Sequence, residues 1–388
     1  MARRRVFWCI LFVLSLVAIS TNGGVIAYTF FFLCPGVVLI SFLYLLYVRT
    51  HFYIYQETQT RNLTCGQPVS YRFRLQNEDV TAYTGIEVKL YSDFSSVEGL
   101  PDQKSFLLLP GEEAEFTTKL ICKYRGEYDV GVKALAISDF FGLFRIQYKM
   151  PSVIRALVIP RVVTLSALKS VPVLISATEL EQTDDVSQTD PVVREYREGD
   201  PLRRIHWKAS ARTMTLKVRQ ESGLRKNGVV IAFDTQRSSK EMAAFLPIEN
   251  QILEIVIALL YYFANQNTHT RVIWSQSRTI SRECVGAKQF EPIYKELSAV
   301  SFAKSEKIET TIAYAIQNRI TEEARILFLV LSKMTPTVFL HTEKWSREGK
   351  TVVIVIVTKD DVTEYVKQSG RRRQFIAISP EEDISKVL

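Results

Sequence analysis

Cysteine is scarce: five in 388 residues, at Cys9, Cys34, Cys65, Cys122 and Cys284, with no CxxC pair and no Cys/His cluster. That spacing excludes a dense disulfide framework and a structural zinc site, and it suits a reducing compartment. Histidine is scarcer still, at four. The chain has no P-loop, no glycine-rich phosphate cradle and no paired Ser/His/Asp pattern, which removes the motif grounds for an NTPase or a serine hydrolase. It also lacks any run of Lys and Arg interleaved with stacking aromatics. The net charge of +8 therefore implies no nucleic-acid partner. It fits a mildly basic membrane protein with its excess charge on the cytoplasmic side.

Long apolar runs are present, hidden under a mean hydropathy near zero, +0.04. Val6 to Ser20 is almost wholly apolar, Thr21-Asn22-Gly23-Gly24 is a polar break, and Val25 to Val48 carries no charge. The second run is ample to cross a ~30 Å hydrocarbon core, and the pair reads as a transmembrane helical hairpin over residues 1–60 with its juxtamembrane segment. Trp8, Tyr44, Tyr47, Tyr53 and Tyr55 suit interfacial positions. Arg3, Arg4 and Arg5 precede the first run, Arg49 and Arg61 follow the second, and the turn has no Lys or Arg. The positive-inside rule then puts the N- and C-termini in the cytoplasm. The rival reading is a signal peptide cut after Ala18-Ile19-Ser20, leaving the second run as an anchor and the rest outside.

Residues 61–170 change to period two. Tyr71, Phe73 and Leu75 alternate with Arg72, Arg74 and Gln76, and Ile86, Val88 and Leu90 alternate with Glu87 and Lys89. Further strands are expected at Phe106–Leu109, Phe116–Ile121, Tyr128–Ile137 and Phe144–Tyr148, with turns at Asn77-Glu78-Asp79, Pro110-Gly111 and Arg125-Gly126. This predicts an antiparallel β-sandwich. Ser138–Phe144 reads as a packed hairpin corner. Residues 171–193 hold Glu179, Glu181, Asp184, Asp185 and Asp190 without a Lys or Arg, and read as an acidic linker.

Residues 194–388 begin with a basic segment. From Arg194 to Lys226 there are ten Lys or Arg against four Asp or Glu, a net +6. Beyond it, Val229–Phe233 is a continuous apolar run that predicts a buried parallel strand. A helix over Pro247–Gln266, strands at Thr270–Trp274, Ile326–Leu331, Val352–Val357 and Gln374–Ile378, and helices between them predict a doubly wound α/β domain. The fold class is thus α/β plus all-β.

Asp234-Thr-Gln-Arg-Ser238 closes the first of these strands and resembles the Asp-x-Ser-x-Ser of von Willebrand factor type A domains. There a carboxylate and hydroxyls hold a divalent cation. Asp234 and Ser238 are kept, Gln236 replaces the first Ser, and Ser332-Lys333 stands where an acidic residue is expected. A metal-free relative of that fold with no cofactor is the main expectation, and a weakened divalent-cation site at Asp234 and Ser238 is the alternative.

The basic segment resembles the bacterial family called domain of unknown function fifty-eight. Its signature stands here as Arg194-Glu-Tyr196, Gly199-Asp200, Arg203-Arg-Ile205-His-Trp207 and Ser210-Ala-Arg212. Upstream, Arg125-Gly-Glu-Tyr128 and Phe141-Gly-Leu-Phe144 also resemble the family, with Phe140 in place of its Pro. The resemblance implies a membrane-anchored protein with a type A-like C-terminal domain, often encoded near MoxR-type AAA+ ATPases and transglutaminase-like membrane proteins, so the expected partners are a MoxR-type AAA+ ATPase and neighbouring membrane proteins. It implies no established reaction and no catalytic residue.

Taken by themselves, Gly199-Asp200-Pro201 make a turn, Ile205 and Trp207 are apolar anchors, and Leu216 to Arg219 is a strand. Arg194, Arg203 and Arg212 suit bidentate pairing with carboxylates, either as a clasp between domains or as a docking site for an acidic partner. The first expectation is a non-enzymatic interaction scaffold. The alternative is a cell-envelope hydrolase or transferase using Asp200, His206 and Ser210.

Overall fold

A computed structural model describes residues 2–60, 62–148, 153–166, 168, 193–196, 205–219, 228–360 and 362–388. The chain divides into two units, Met1–Arg161 and Val162–Leu388. The acidic linker acids, Gly199, Asp200 and Arg203 lie outside the described residues.

The first unit opens with α1 (Ala2–Asn22) and α2 (Val25–His51), antiparallel neighbours broken at Gly23-Gly24. Both are long and apolar enough to span a membrane. Phe12 of α1 stacks on Phe31 of α2 at 5.5 Å, while most of the remaining apolar side chains are exposed, as expected of a lipid-facing surface. A single buried residue, Phe52, separates α2 from β1 (Tyr53–Thr58). The stretch expected to be a juxtamembrane segment is therefore already sheet.

Ten more strands follow: β2 (Asn62–Thr64), β3 (Pro68–Gln76), β4 (Tyr83–Leu90), β5 (Ser95–Val97), β6 (Gln103–Leu108), β7 (Glu113–Cys122), β8 (Gly126–Val130), β9 (Val132–Ser138), β10 (Arg145–Tyr148) and β11 (Ile154–Ile159). Two four-stranded antiparallel sheets, ordered β1-β3-β7-β5 and β10-β9-β4-β6, are joined by a small β2-β11-β8 sheet. Tyr71, Phe73 and Leu75 are buried, as period two demands, and Phe73 meets Phe106 of the other large sheet edge-on at 6.3 Å.

The expected single strand over Tyr128–Ile137 is two. Gly131, at φ +85°, breaks it, and β8 pairs with β11 while β9 pairs with β4. A side chain there would meet Gln56 Oε1 at 2.7 Å and Tyr71 Oη at 2.8 Å, so the chain changes sheets at a position where only glycine fits. The Ser138–Phe144 corner is capped by Asp139, whose carboxylate accepts from the Phe141 and Phe144 amides.

The second unit holds a two-stranded antiparallel sheet, β12 (Val193–Glu195) with β13 (Lys217–Arg219), and α3 (Trp207–Thr213) between them in sequence. The strand expected at Leu216–Arg219 thus belongs to this small sheet and not to the large one. The large sheet has six strands: β14 (Gly228–Phe233), β15 (Thr270–Gln276), β16 (Arg278–Cys284), β17 (Ala324–Leu331), β18 (Thr351–Val357) and β19 (Arg373–Ile378). Their order is β16-β15-β14-β17-β18-β19, all parallel except the β16 edge.

Helices cover both faces. Val229, Ile231 and Phe233 pack in one core with α4 (Met242–Asn265) and α5 (Ala287–Ser298). Val230 and Ala232 pack in another with α6 (Ile308–Gln317) and α7 (Pro336–Arg347). Burial on both faces is why these strands read as unbroken apolar runs. α4 is as long and apolar as a membrane span, but most of it is buried inside this unit. It starts five residues before the expected Pro247, which sits in its second turn.

Candidate functional site

In an open α/β sheet, ligands favour the crevice at the strand ends where the strand order reverses. Here that point lies between β14 and β17. Asp234 follows β14 and Ser332 follows β17, and the Ser332 hydroxyl donates to Asp234 Oδ2 at 2.6 Å. The Gln236 amide donates to Oδ1 at 2.9 Å. Asp234 is 3% exposed. Burial holds its carboxyl above the usual carboxylate range; the Ser332 and Gln236 hydrogen bonds oppose the rise, and the Glu309 charge adds to it.

The residues around Asp234 are occupied with each other. Thr235 Oγ1 donates to the Ser275 carbonyl at 2.6 Å, and the Arg237 amide and carbonyl of Ala303 stitch the loop down at 3.1 Å. Arg237 turns away from the crevice. Its guanidinium makes a bidentate pair with the buried Glu249 of α4, at 2.7 and 3.1 Å, and lies 4.0 Å over the Phe245 ring. Ser238 is exposed. Two hydrogen-bonded partners escape a reading of the sequence alone: Thr335, which caps α7, donates to Glu309 Oε1 at 2.7 Å. The Thr335-Pro336 pair, a cap followed by proline at the first helical position, is a signal that could have found Thr335; nothing in the sequence marks Glu309 as its partner.

A divalent cation would need hard oxygen ligands free to face it. Both Asp234 oxygens accept protein hydrogen bonds, from the Gln236 amide and from the Ser332 hydroxyl that follows β17. Among the described residues, no group of three or more His, Cys, Asp or Glu could hold a metal ion.

The signature residues make a second candidate. Tyr196 N donates to Leu216 O at 2.8 Å, next to the β12–β13 ladder, and Ile205 bridges Val218. Ile205 and Val218 are buried and form the inner side of the turn. His206 caps α3: its Nδ1 accepts from the Ala209 amide at 3.1 Å, and its own amide donates to Lys217 O at 2.7 Å. Ser210 is buried, and its hydroxyl accepts from the Lys217 amide at 2.8 Å and donates to His206 O at 3.1 Å. The hydroxyl therefore pins α3 to β13. It touches the His206 carbonyl and not the ring, so no Ser–His dyad forms.

The apolar and cationic side chains face outward. Trp207 is 68% exposed, Met214 91% and Leu216 47%. Trp207 was expected as an apolar anchor beside Ile205, but one residue of helix turns it from the buried to the exposed side. Lys208 and Arg212 are exposed as well. Arg212 was expected to pair with a carboxylate, and among the described residues it makes no ion pair. The described part of the signature thus brings Tyr196, Ile205, His206 and Ser210 together as framework and leaves Trp207 and Arg212 on the surface. Arg194 is placed by its backbone, opposite Val218.

The model of the family described as "Protein of unknown function DUF58" matches residues 192–364, which supports this family for the second unit. No curated protein matches the chain in sequence. Among solved structures, a cohesin module from the family 33 glycoside hydrolase of Clostridium perfringens ATCC13124 is 8% identical, with 28% of this chain and 96% of that one covered and a TM-score of 0.18. The sporulation control protein Spo0M from Bacillus subtilis is 15% identical, with 38% and 58% covered and a TM-score of 0.19. The GH20 exo-β-N-acetylglucosaminidase from Vibrio harveyi is 9% identical, with 84% and 81% covered and a TM-score of 0.21. Scores this low carry no argument about fold or function.

Proposed function

We propose that this chain is a membrane-anchored, non-enzymatic interaction scaffold on the cytoplasmic face. Its surface around Trp207 and Arg212 docks a MoxR-type AAA+ ATPase during assembly or maturation of a membrane or cell-envelope complex. The observation that carries this reading is the division of labour in the signature. The groups with chemical potential, His206 and Ser210, are consumed in holding the turn. The groups suited to recognition, Trp207 together with Lys208, Arg212, Met214 and Leu216, are left exposed to solvent. Tryptophan and arginine are the side chains that most often dominate protein–protein binding.

Three finer readings belong to this proposal. The second unit is a type A-like domain whose cation site has been replaced by the Ser332–Asp234 hydrogen bond. Its strand order, with one antiparallel edge, supports that. The two large sheets of the first unit form a β-sandwich that works as a spacer, supported by the Phe73–Phe106 contact. Both helices cross the bilayer with their Arg3–Arg5 and Arg49 ends in the cytoplasm, supported by the charge asymmetry about the turn.

Charge reversal tests the docking. Full-length protein in detergent should capture a purified MoxR-type ATPase, and Arg212→Glu should abolish capture with an unchanged thermal unfolding midpoint. Full capture by Arg212→Glu would overturn the reading.

A further inference from the structure

The loop at the family's Phe-Gly-Leu-Phe element is more than a hairpin corner. Within the first unit it reaches both helices. Arg5 Nε donates to the Leu143 carbonyl at 2.6 Å, and Trp8 packs edge-on against Phe141 at 5.8 Å. On the other side Phe144 meets Phe42 of α2 at 6.1 Å, and Phe140 meets Tyr44 at 4.7 Å. Tyr44 is further held by the Ala82 carbonyl and the Thr84 amide, at 2.8 and 3.2 Å. Gly142, at φ +66°, gives Arg4 its room: a Cβ there would meet a terminal guanidinium nitrogen at 2.5 Å.

Beneath this loop, between the two helices, lies a crevice of ≈ 970 Å³. Its walls include Trp8, Phe12, Val38, Phe42 and Phe144, and its one charged wall residue is Arg5. Away from Arg5 the lining is apolar and offers ordered water almost nothing to bind. The Arg5 guanidinium has five donors, and the loop engages only the Nε–H. Arg3 and Arg4 are exposed beside it. Phe140 and Phe141 are 56% and 44% exposed at the same level.

We propose that this crevice is a binding site for an anionic phospholipid of the surrounding bilayer. One acyl chain lies between α1 and α2, and the headgroup phosphate meets Arg5 and its neighbours Arg3 and Arg4. The exposed Phe140 and Phe141 lie at headgroup depth, so the β9–β10 loop rests in the membrane surface and does not hang below it. The occupant follows from charge: an arginine cluster at the mouth of an apolar slot suits a lipid with a negative headgroup over a zwitterionic one. The inference rests on the reading that both helices cross the bilayer.

Trp8, in the crevice wall, is the reporter. The full chain is reconstituted in phosphatidylcholine vesicles containing, at equal mole fraction, chain-brominated phosphatidylglycerol or chain-brominated phosphatidylcholine. Quenching that disappears in Trp8→Phe is the signal. The brominated phosphatidylglycerol should occupy the crevice with a preference of about five-fold or more, the worth of one arginine beside an anionic headgroup. Arg4→Gln/Arg5→Gln should bring the two lipids level, and Val38→Phe, which fills the slot without touching charge, should cut the excess as well. Equal Trp8-dependent quenching by both lipids in the unaltered chain would overturn the site while leaving the membrane crossing intact. No Trp8-dependent quenching by either lipid would overturn the crossing itself.

Discussion

The second unit has two places where polar residues converge, and they are built in opposite senses. At the β14–β17 crevice a carboxylate is buried and its donors are drawn in around it: Ser332 and the Gln236 amide on Asp234. On the α3 turn the polar groups are also turned inward, as cap and pin, but large apolar and cationic groups are pushed out. The first is a closed polar knot at a position where related architectures open to a ligand. The second is an open apolar and basic face on a stiffened turn. On the proposed reading the difference separates stability from recognition, with Asp234 holding the sheet ends and Trp207 offered to a partner. Among the described residues, neither place brings a nucleophile onto a base.

Four substitutions probe how sharp that separation is. Asp234→Ala strips the acceptor from the Ser332 hydroxyl and the Gln236 amide and should cost about 2–3 kcal/mol, read by thermal unfolding of the full chain in detergent. No change would mean that the knot is ornamental. The same group gives a pH signature. Burial raises its folded pKa, so the folded chain holds the proton more tightly than the unfolded one. Its contribution to stability is fully present below the ordinary carboxylate value of about 4 and is lost as pH rises through the folded value. Asp234→Asn should flatten that part of the unfolding-midpoint profile, and an unchanged profile would remove Asp234 as its source.

Ser210→Ala leaves the Lys217 amide without its acceptor and should destabilise by about 1–2 kcal/mol, with ATPase capture retained at the native level. His206→Ala removes a helix cap and should cost about 1 kcal/mol or less, again with capture retained. Capture lost in either variant while the fold is intact would dissolve the boundary between framework and recognition drawn here.

Much of the architecture was legible because burial writes itself into sequence period. Val229–Phe233 and Val352–Val357 are buried on both faces and read as parallel strands without ambiguity. β16 was missed because Arg278–Cys284 is an edge strand with three charges and little full burial, so no apolar alternation marks it; the turn that creates it rests on Ser277, a non-glycine at φ +57° that leaves no sequence mark. The break at Gly131 was missed for a related reason: both halves keep period two, and only a long-range contact with Tyr71 and Gln56 makes the glycine necessary.

The candidate site was legible as a location and misleading in its parts. The density of Arg, Trp, His and Ser marked the α3 turn, but composition does not say which way each side chain points. Ile205 and Trp207 are both large and apolar, two residues apart, and lie on opposite sides of the turn's surface because the helix starts between them. The Ser210 hydroxyl resembles a nucleophile in sequence and is a backbone pin in three dimensions. Ser332 is informative only beside Asp234, a pairing across 98 residues of chain.

The most direct measurement is a side-by-side binding titration of a purified MoxR-type ATPase against the full chain, Trp207→Ala and Ser210→Ala. With the turn acting as a contact surface, Trp207→Ala should bind about thirty-fold more weakly, as a central aromatic anchor does, without loss of thermal stability, and Ser210→Ala should melt earlier yet bind normally. Native affinity in Trp207→Ala together with lost binding in a folded Ser210→Ala would contradict the account at its centre.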